Sequence, residues 1–185
     1  MPALLLPDGL ADERVRLRPF VAGDAPAVFE ACRDPLIRRF TSFPEHRGVA
    51  DVSSWIEGQP GQRDRGEALD LAITLRDDDT VVGAVGLGET AFEHHRAAAG
   101  YWVAPGARGR GLAVAALRLL SGWAFDGPLG FVRLELHIAA ENVASCRTAE
   151  GAGYAREGVL RSYMYVKGRH WDIAAYSLIA DDRVD

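Results

Sequence analysis

The chain predicts a single α/β domain, a mixed sheet of about seven strands with helices on both faces. Three observations lead there. Several segments alternate apolar and polar residues with the two-residue period of a half-buried strand. Two pairs of strands are joined by short, turn-rich links. The elements run strand, helices, three strands, helix, strand, helix, two strands, an order that packs helices against both sides of one sheet.

Taken in order, residues 1–12 are expected to be a loose lead-in, 13–180 the domain and 181–185 a tail. In the stretch from Glu13 to Pro19, Val15 and Leu17 alternate with Arg14, Arg16 and Arg18, which reads as a strand with a solvated arginine face. Asp24 is placed to cap a helix with Pro26 in its first turn; the helix carries Val28, Phe29 and Cys32 and stops before Pro35. Ile37 and Phe40 suggest a short helix and Val49 to Ile56 another, with Gly58, Pro60, Gly61 and Gly66 expected to break the chain.

Leu69–Leu75 and Thr80–Leu87 form a hairpin across Arg76 to Asp79. Leu69, Leu71, Ile73 and Leu75 share one face of its first strand; Asp70, Ala72 and Thr74 share the other. Residues 88–96 read as a polar loop with Glu89, Glu93, His94 and His95. Ala97–Val103 is a strand and 109–126 a helix. Val132, Leu134, Leu136 and Ile138 alternate with Arg133, Glu135 and His137 as the next strand, and a short helix runs from Asn142 to Gly151. Tyr154–Val166 and His170–Ile179 pair across Lys167-Gly168-Arg169.

At 185 residues, 48% apolar and 25% charged, the chain has the size and composition of one globular domain. Its longest uncharged apolar stretch, Ala97–Ala107, is far short of the ~20 residues a membrane span needs. The first residues lack the basic region and apolar length of a signal peptide, so a cytoplasmic location is expected. Cys32 and Cys146 offer neither a disulfide framework nor metal spacing, and His94-His95 have no third ligand. A net charge of −5 argues against a nucleic-acid surface and suits cationic partners.

One stretch carries chemistry. Tyr101-Trp102-Val103 breaks at Pro105-Gly106, and Gly106, Gly109 and Gly111 then alternate with Arg108 and Arg110 before a helical run begins at Leu112. Strand, glycine-arginine loop, helix start is the order that holds a phosphate: glycines let backbone N–H groups approach, and the first N–H groups of the helix lack intrahelical partners. A Walker loop would need Lys and Ser/Thr where Leu112-Ala113 stand. A dinucleotide fingerprint would need Gly or Ala in place of Val114. A solvated glycine-rich turn is the plain structural alternative.

Arg108-x-x-Gly111-x-Ala113 resembles the Q/R-x-x-G-x-G/A pyrophosphate loop of the GNAT superfamily of N-acetyltransferases, which bind acetyl-CoA. Asn142-x-x-Ser145-x-x-x-x-Glu150-x-x-Gly153-Tyr154 is similar to the helix motif of its RimJ/RimL-like branch, whose members acetylate protein N-termini while relatives acetylate small amines. The C-terminal hairpin, with Gly158, Leu160, Arg161, Tyr163, Asp172 and Tyr176, resembles that branch as well, so the likeness runs from about Glu13 to Ala180.

The resemblance implies the GNAT acyl-CoA N-acyltransferase fold and direct transfer of acetyl from acetyl-CoA to a primary amine, without a metal. Trp102, Val103, Arg108, Gly109, Arg110, Gly111, Leu112, Ala113, Asn142 and Ser145 would bind the coenzyme. A backbone N–H near Val103 would face the thioester carbonyl. Many relatives carry a tyrosine before the helix-motif glutamate as acid for the thiolate; that position is Ala149, and the branch proposes the serine, here Ser145, instead. The amine must lose a proton. Asp70, a carboxylate on an apolar strand, is the first candidate to take it and Glu89 the second; a capped or solvated carboxylate is the alternative for both.

The implied acceptor is a peptide N-terminus, with an aminoglycoside or polyamine as the alternative. Segments 58–66 and 88–96 are expected to wall its groove. A homodimer is compatible with the resemblance; direct nucleic-acid or membrane contact is not expected. Two rival readings are a non-catalytic acyl-CoA-binding module on the same fold and a ping-pong enzyme using Cys146.

Overall fold

The computed structural model describes residues 2–5, 9–41 and 48–182. Parts of the lead-in (1 and 6–8), of the poorly patterned segment (42–47) and of the tail (183–185) lie outside the described residues. Among the described residues, seven strands follow in chain order: β1 (Val15–Pro19), β2 (Leu69–Leu75), β3 (Val81–Ala91), β4 (Arg96–Val103), β5 (Arg133–Ala139), β6 (Ala155–Val166) and β7 (Arg169–Ile179). The helices are α1 (Ala25–Cys32), α2 (Pro35–Phe40), α3 (Val49–Asp64), α4 (Leu112–Asp126) and α5 (Val143–Gly151). Across the sheet the order is β1-β2-β3-β4-β5-β7-β6. This is the mixed α/β architecture expected of the sequence.

Every neighbouring pair is antiparallel except β4 and β5. Those two pair in parallel only from Arg96 to Ala98 on one strand and Arg133 to Glu135 on the other. Beyond that point they separate, and the centre of the sheet opens as a wedge.

The alternation of β2 explains why both faces are covered. Leu69, Leu71 and Ile73 join a core beneath α4, where Leu117 and Leu120 are fully buried. Ala72 faces the other way, into a second core formed by α1, α3 and Trp102. Burying a leucine of this kind contributes about 1.5–3 kcal/mol, so α4 is fixed mainly by packing.

Several local expectations need correction. Asp24 precedes α1 but does not cap it through its side chain. Its buried carboxylate instead accepts from the Val21 N–H and from both terminal nitrogens of Arg18, at 2.8 and 3.0 Å. Arg18 also reaches Asp79, so the arginine face of β1 is not wholly solvated. Helix α3 does not stop at Gly58 but continues through Pro60 and Gly61 to Asp64. Val52, Ile56 and Gln59 recur on one buried stripe, and that packing outweighs the poor local propensity. The expected loop 88–96 is largely strand, because β3 runs to Ala91 and β4 starts at Arg96. Val132 lies outside β5 and is 53% exposed. The lead-in contributes Leu4 to the main core, and the Leu4 N–H bonds the Arg63 carbonyl at 2.9 Å.

Candidate active site

The wedge between β4 and β5 organises the site. Ala104 N–H bonds the Val82 carbonyl, and Trp102 lies opposite Ala84, so the even-numbered residues of β4 turn their backbone groups toward β3. The backbone groups of Tyr101 and Val103 therefore point into the wedge, where β5 has already left. A strand edge with no partner strand is a ready docking rail for an extended chain.

Beyond β4, Pro105–Ala107 form one helical turn and the chain enters α4 through Gly109 and Gly111, both at φ +74°. Positive φ is costly for a residue with a side chain, which is what the glycines are for. No described residue accepts a hydrogen bond from the N–H groups of residues 109–113. These donors converge at the positive end of α4, and together with the dipole they fit a pyrophosphate. Leu112 is buried beneath the loop and anchors it.

Arg108 behaves differently from a free phosphate ligand. Its Nη2 donates to Asp34 Oδ1 at 2.6 Å and its Nε to the Val103 carbonyl at 3.1 Å. Asp34 in turn caps α2, accepting from the N–H groups of Leu36 and Ile37. The Arg108 guanidinium, foremost, holds the Asp34 carboxyl below its usual range. Arg108 thus ties the loop to α2 while still lining the loop-side cavity. Arg110 is exposed and lies outside the lining of that cavity.

The second motif is built as its residues suggest. Asn142 caps α5, its Oδ1 accepting from the Ser145 N–H at 3.2 Å. This turns Ser145 toward β4, where its Oγ lies 2.5 Å from the Tyr101 hydroxyl. The Ser145 carbonyl, at 3.2 Å, is a second and more distant acceptor for the same hydroxyl. Burial raises the Tyr101 phenol above its usual pKa and keeps it protonated. Glu150 accepts from the Tyr176 hydroxyl at 2.9 Å and so locks α5 to β7.

Two cavities meet at this pair. One, of about 360 Å³, runs along the glycine loop past Val103, Gly111 and Ala113. The other, of about 370 Å³, opens on the α3 side of the sheet. Tyr101, Trp102, Asn142 and Ser145 line both.

Asp70 stands on the floor of the second cavity. It lies opposite Gly86, which in turn lies opposite Gly100, giving a row of two glycines between the carboxylate and the wedge. A Cβ on Gly86 would come within 2.7 Å of Asp70 Oδ1 and 2.4 Å of the Leu69 carbonyl. The missing side chain is what leaves room for Asp70. Burial pushes the Asp70 carboxyl up to about 6, with the nearby Gln59 amide moderating the rise. The Gln59 nitrogen is close but not at bonding geometry, and it is left buried without a hydrogen-bond partner.

Glu89 also lines this cavity, at its exposed rim, on an irregular stretch of β3 with φ +46°. The other walls are Trp55 of α3, Phe40 and Thr41 at the end of α2, and Met164 and Trp171 of the β6–β7 hairpin. Phe40 and Trp171 meet edge-on at 5.9 Å, and Arg169 stacks over Trp171 at 3.3 Å. Segment 58–66, expected as a wall, instead completes α3 and does not line the cavity. Sequence reasoning missed Tyr101 and these aromatics. A signal for the former existed, since Tyr101 shares its strand face with Val103, the residue expected to face the thioester.

The split parallel pair, the amide-lined loop at the start of α4 and the two cavities that share Tyr101 and Ser145 form one continuous site. The chain belongs to the acetyltransferase (GNAT) domain family, whose model matches residues 14–155. It is an acetyl-CoA-dependent N-acetyltransferase. The uncharacterized N-acetyltransferase YoaA of Bacillus subtilis (strain 168) is 27% identical over 170 residues, 92% of this chain and 96% of YoaA. YdaF of the same organism, provisionally named a ribosomal N-acetyltransferase, is 33% identical over 102 residues, 55% of each chain. The structure of Mycobacterium smegmatis RimJ in complex with a CoA-disulfide superposes with a TM-score of 0.80 at 26% identity, covering 91% of this chain and 83% of that one. No helix among the described residues is long and apolar enough to cross a membrane.

Proposed function

We propose that the acceptor is the α-amine of a protein or peptide N-terminus, which enters through the α3-side cavity and meets the acetyl group in the wedge. The observation that carries this reading is the placement of Asp70, a largely buried carboxylate beside a row of two glycines that lines the same cavity as Tyr101 and Ser145. The 109–113 amides would hold the pyrophosphate and the free edge of β4 the pantetheine arm. Acetyl-CoA supplies the activated acetyl group. The Val103 N–H points into the wedge, where it can donate to the thioester carbonyl. Asp70 accepts the proton of the arriving ammonium, directly or through a water, and Ser145 gives a proton to the sulfur.

The acidity of Asp70 favours an α-amine over a lysine. Moving a proton from an α-ammonium, pKa about 7.7–8.0, to a carboxyl at about 6 costs about 2–3 kcal/mol. From a lysine at about 10.4 it costs about 6 kcal/mol. The provisional ribosomal name of YdaF agrees with a protein acceptor.

A second reading, a small cationic amine such as an aminoglycoside or polyamine, is favoured by the two carboxylates Asp70 and Glu89 in one aromatic-walled cavity. A screen of N-terminal peptides, free amino acids, polyamines and aminoglycosides, followed by coenzyme A release, separates the two. Turnover is expected with peptides bearing a free α-amine and not with the same peptides blocked at that amine. Turnover confined to aminoglycosides or polyamines would replace the first reading with the second.

A further inference from the structure

The Tyr101–Ser145 pair does more than the serine alone explains. A serine hydroxyl is a far weaker acid than a thiol, whose pKa is about 8.5, so a lone serine is a poor proton source for a departing thiolate. Here the serine has a stronger acid behind it. The Tyr101 hydroxyl is 2.5 Å from Ser145 Oγ, a short contact for two hydroxyls. It comes from β4, on the same cavity wall as Val103. The α5 position from which a phenol might otherwise arise is the buried Ala149. Ser145 and Thr148, which line the loop-side cavity, act against the burial and toward a more acidic phenol.

We propose that Tyr101 is the proton source of the leaving step and that Ser145 relays its proton. As the C–S bond breaks, its electron pair stays on sulfur. Ser145 Oγ gives its proton to the sulfur and at once takes the proton of the Tyr101 hydroxyl. Tyr101 is left as phenolate and recovers a proton from solvent, to which Asp70 has passed the one lost by the amine. Protons therefore balance over a turnover, and no other reagent is needed. Tyr101 keeps its proton throughout the neutral range, because desolvation disfavours its charged form.

The inference rests on the coenzyme placement proposed above, so the test reads binding and chemistry separately. Tyr101→Phe keeps the ring and removes the hydroxyl. Coenzyme A affinity by calorimetry should change less than threefold while kcat falls about 10- to 100-fold. Combined with Ser145→Ala, it should add nothing to the loss from Ser145→Ala alone, as expected of two parts of one relay. A fluorinated tyrosine at position 101 preserves the hydroxyl and provides a readout independent of turnover. Its ¹⁹F resonance should shift when coenzyme A binds, the shift should vanish in Ser145→Ala, and the alkaline limb of kcat should move to lower pH.

A kcat within threefold of the parent in Tyr101→Phe, or a ¹⁹F resonance indifferent to coenzyme A, would overturn the relay while leaving the coenzyme site intact. Failure of the unaltered protein to bind coenzyme A would overturn both.

Discussion

Ser145→Ala should lower kcat by about 10²–10⁴-fold while coenzyme affinity changes little. The serine sits where the two cavities join, turned by the Asn142 cap and held 2.5 Å from Tyr101. Alanine keeps the helix, because the cap bond is to the Ser145 backbone N–H and not to its side chain. Steady-state kinetics on the folded variant gives the answer. A kcat within threefold of the parent would make Ser145 a first-turn residue with no part in the reaction. Cys146→Ala is the companion. It should stay active, since the direct-transfer reading gives the adjacent thiol no role; an inactive Cys146→Ala would revive a ping-pong route.

Asp70→Asn should lower kcat/KM by about 10²-fold or more at pH 7 and shift its pH dependence upward. In the parent the acid limb should centre near the Asp70 pKa of about 6, because below it the carboxyl is already protonated and cannot accept the amine's proton. In the variant only an amine that arrives neutral can react. The limb should then move to the amine's own pKa, about 7.7–8.0 for an α-amine, and the deficit should shrink toward pH 9. A parent-like profile in Asp70→Asn would remove Asp70 from the proton path; if Glu89→Gln instead reproduced the predicted shift, the role would pass to Glu89.

The same substitution should stabilise the fold. The folded-state pKa of about 6 lies above the unfolded value near 3.9, so the folded protein binds that proton more tightly. Stability is therefore lost as pH rises from about 4 through about 6, by up to about 3 kcal/mol at neutral pH. Asparagine removes the buried charge, and its Tm at pH 7 should exceed the parent's. At pH 4 the two should be close. A residue that costs stability and supports activity is one held for function.

Much of this could be read before the fold was known, for reasons that differ by element. Strands β2 and β5 alternate in sequence with a two-residue period and bury one face, so pattern and structure agree at Leu69, Leu71, Ile73, Leu134 and Leu136. The glycine loop and the Asn142 cap were legible because their chemistry is local: a positive φ and an N-cap bond depend on residues within three positions. The second half of α3 was not, because Gly58, Pro60 and Gly61 argue locally for a break and only the buried stripe of Val52, Ile56 and Gln59 overrules them.

The site divides along the same line. Asp70 stood out as a carboxylate on an apolar strand, but the reason it fits depends on the register of three strands, Asp70 to Gly86 to Gly100. Tyr101 was visible as a residue and invisible as a partner, since Ser145 lies 44 positions away. The walls of the cavity over Asp70, Phe40, Trp55 and Trp171, come from three elements whose meeting no local pattern encodes.

On the proposed reading the two cavities are one reaction path, with the thioester on the loop side and the α-amine on the Asp70 side of a single wedge. A conjugate tests it directly: coenzyme A joined from its sulfur, through an acetyl bridge, to the α-nitrogen of a short peptide. Calorimetry should show this conjugate binding at least about 100-fold tighter than coenzyme A alone, equivalent to ~2.7 kcal/mol, because it fills both cavities at once. A conjugate that binds no tighter than coenzyme A would mean that the cavity over Asp70 does not receive the peptide amine.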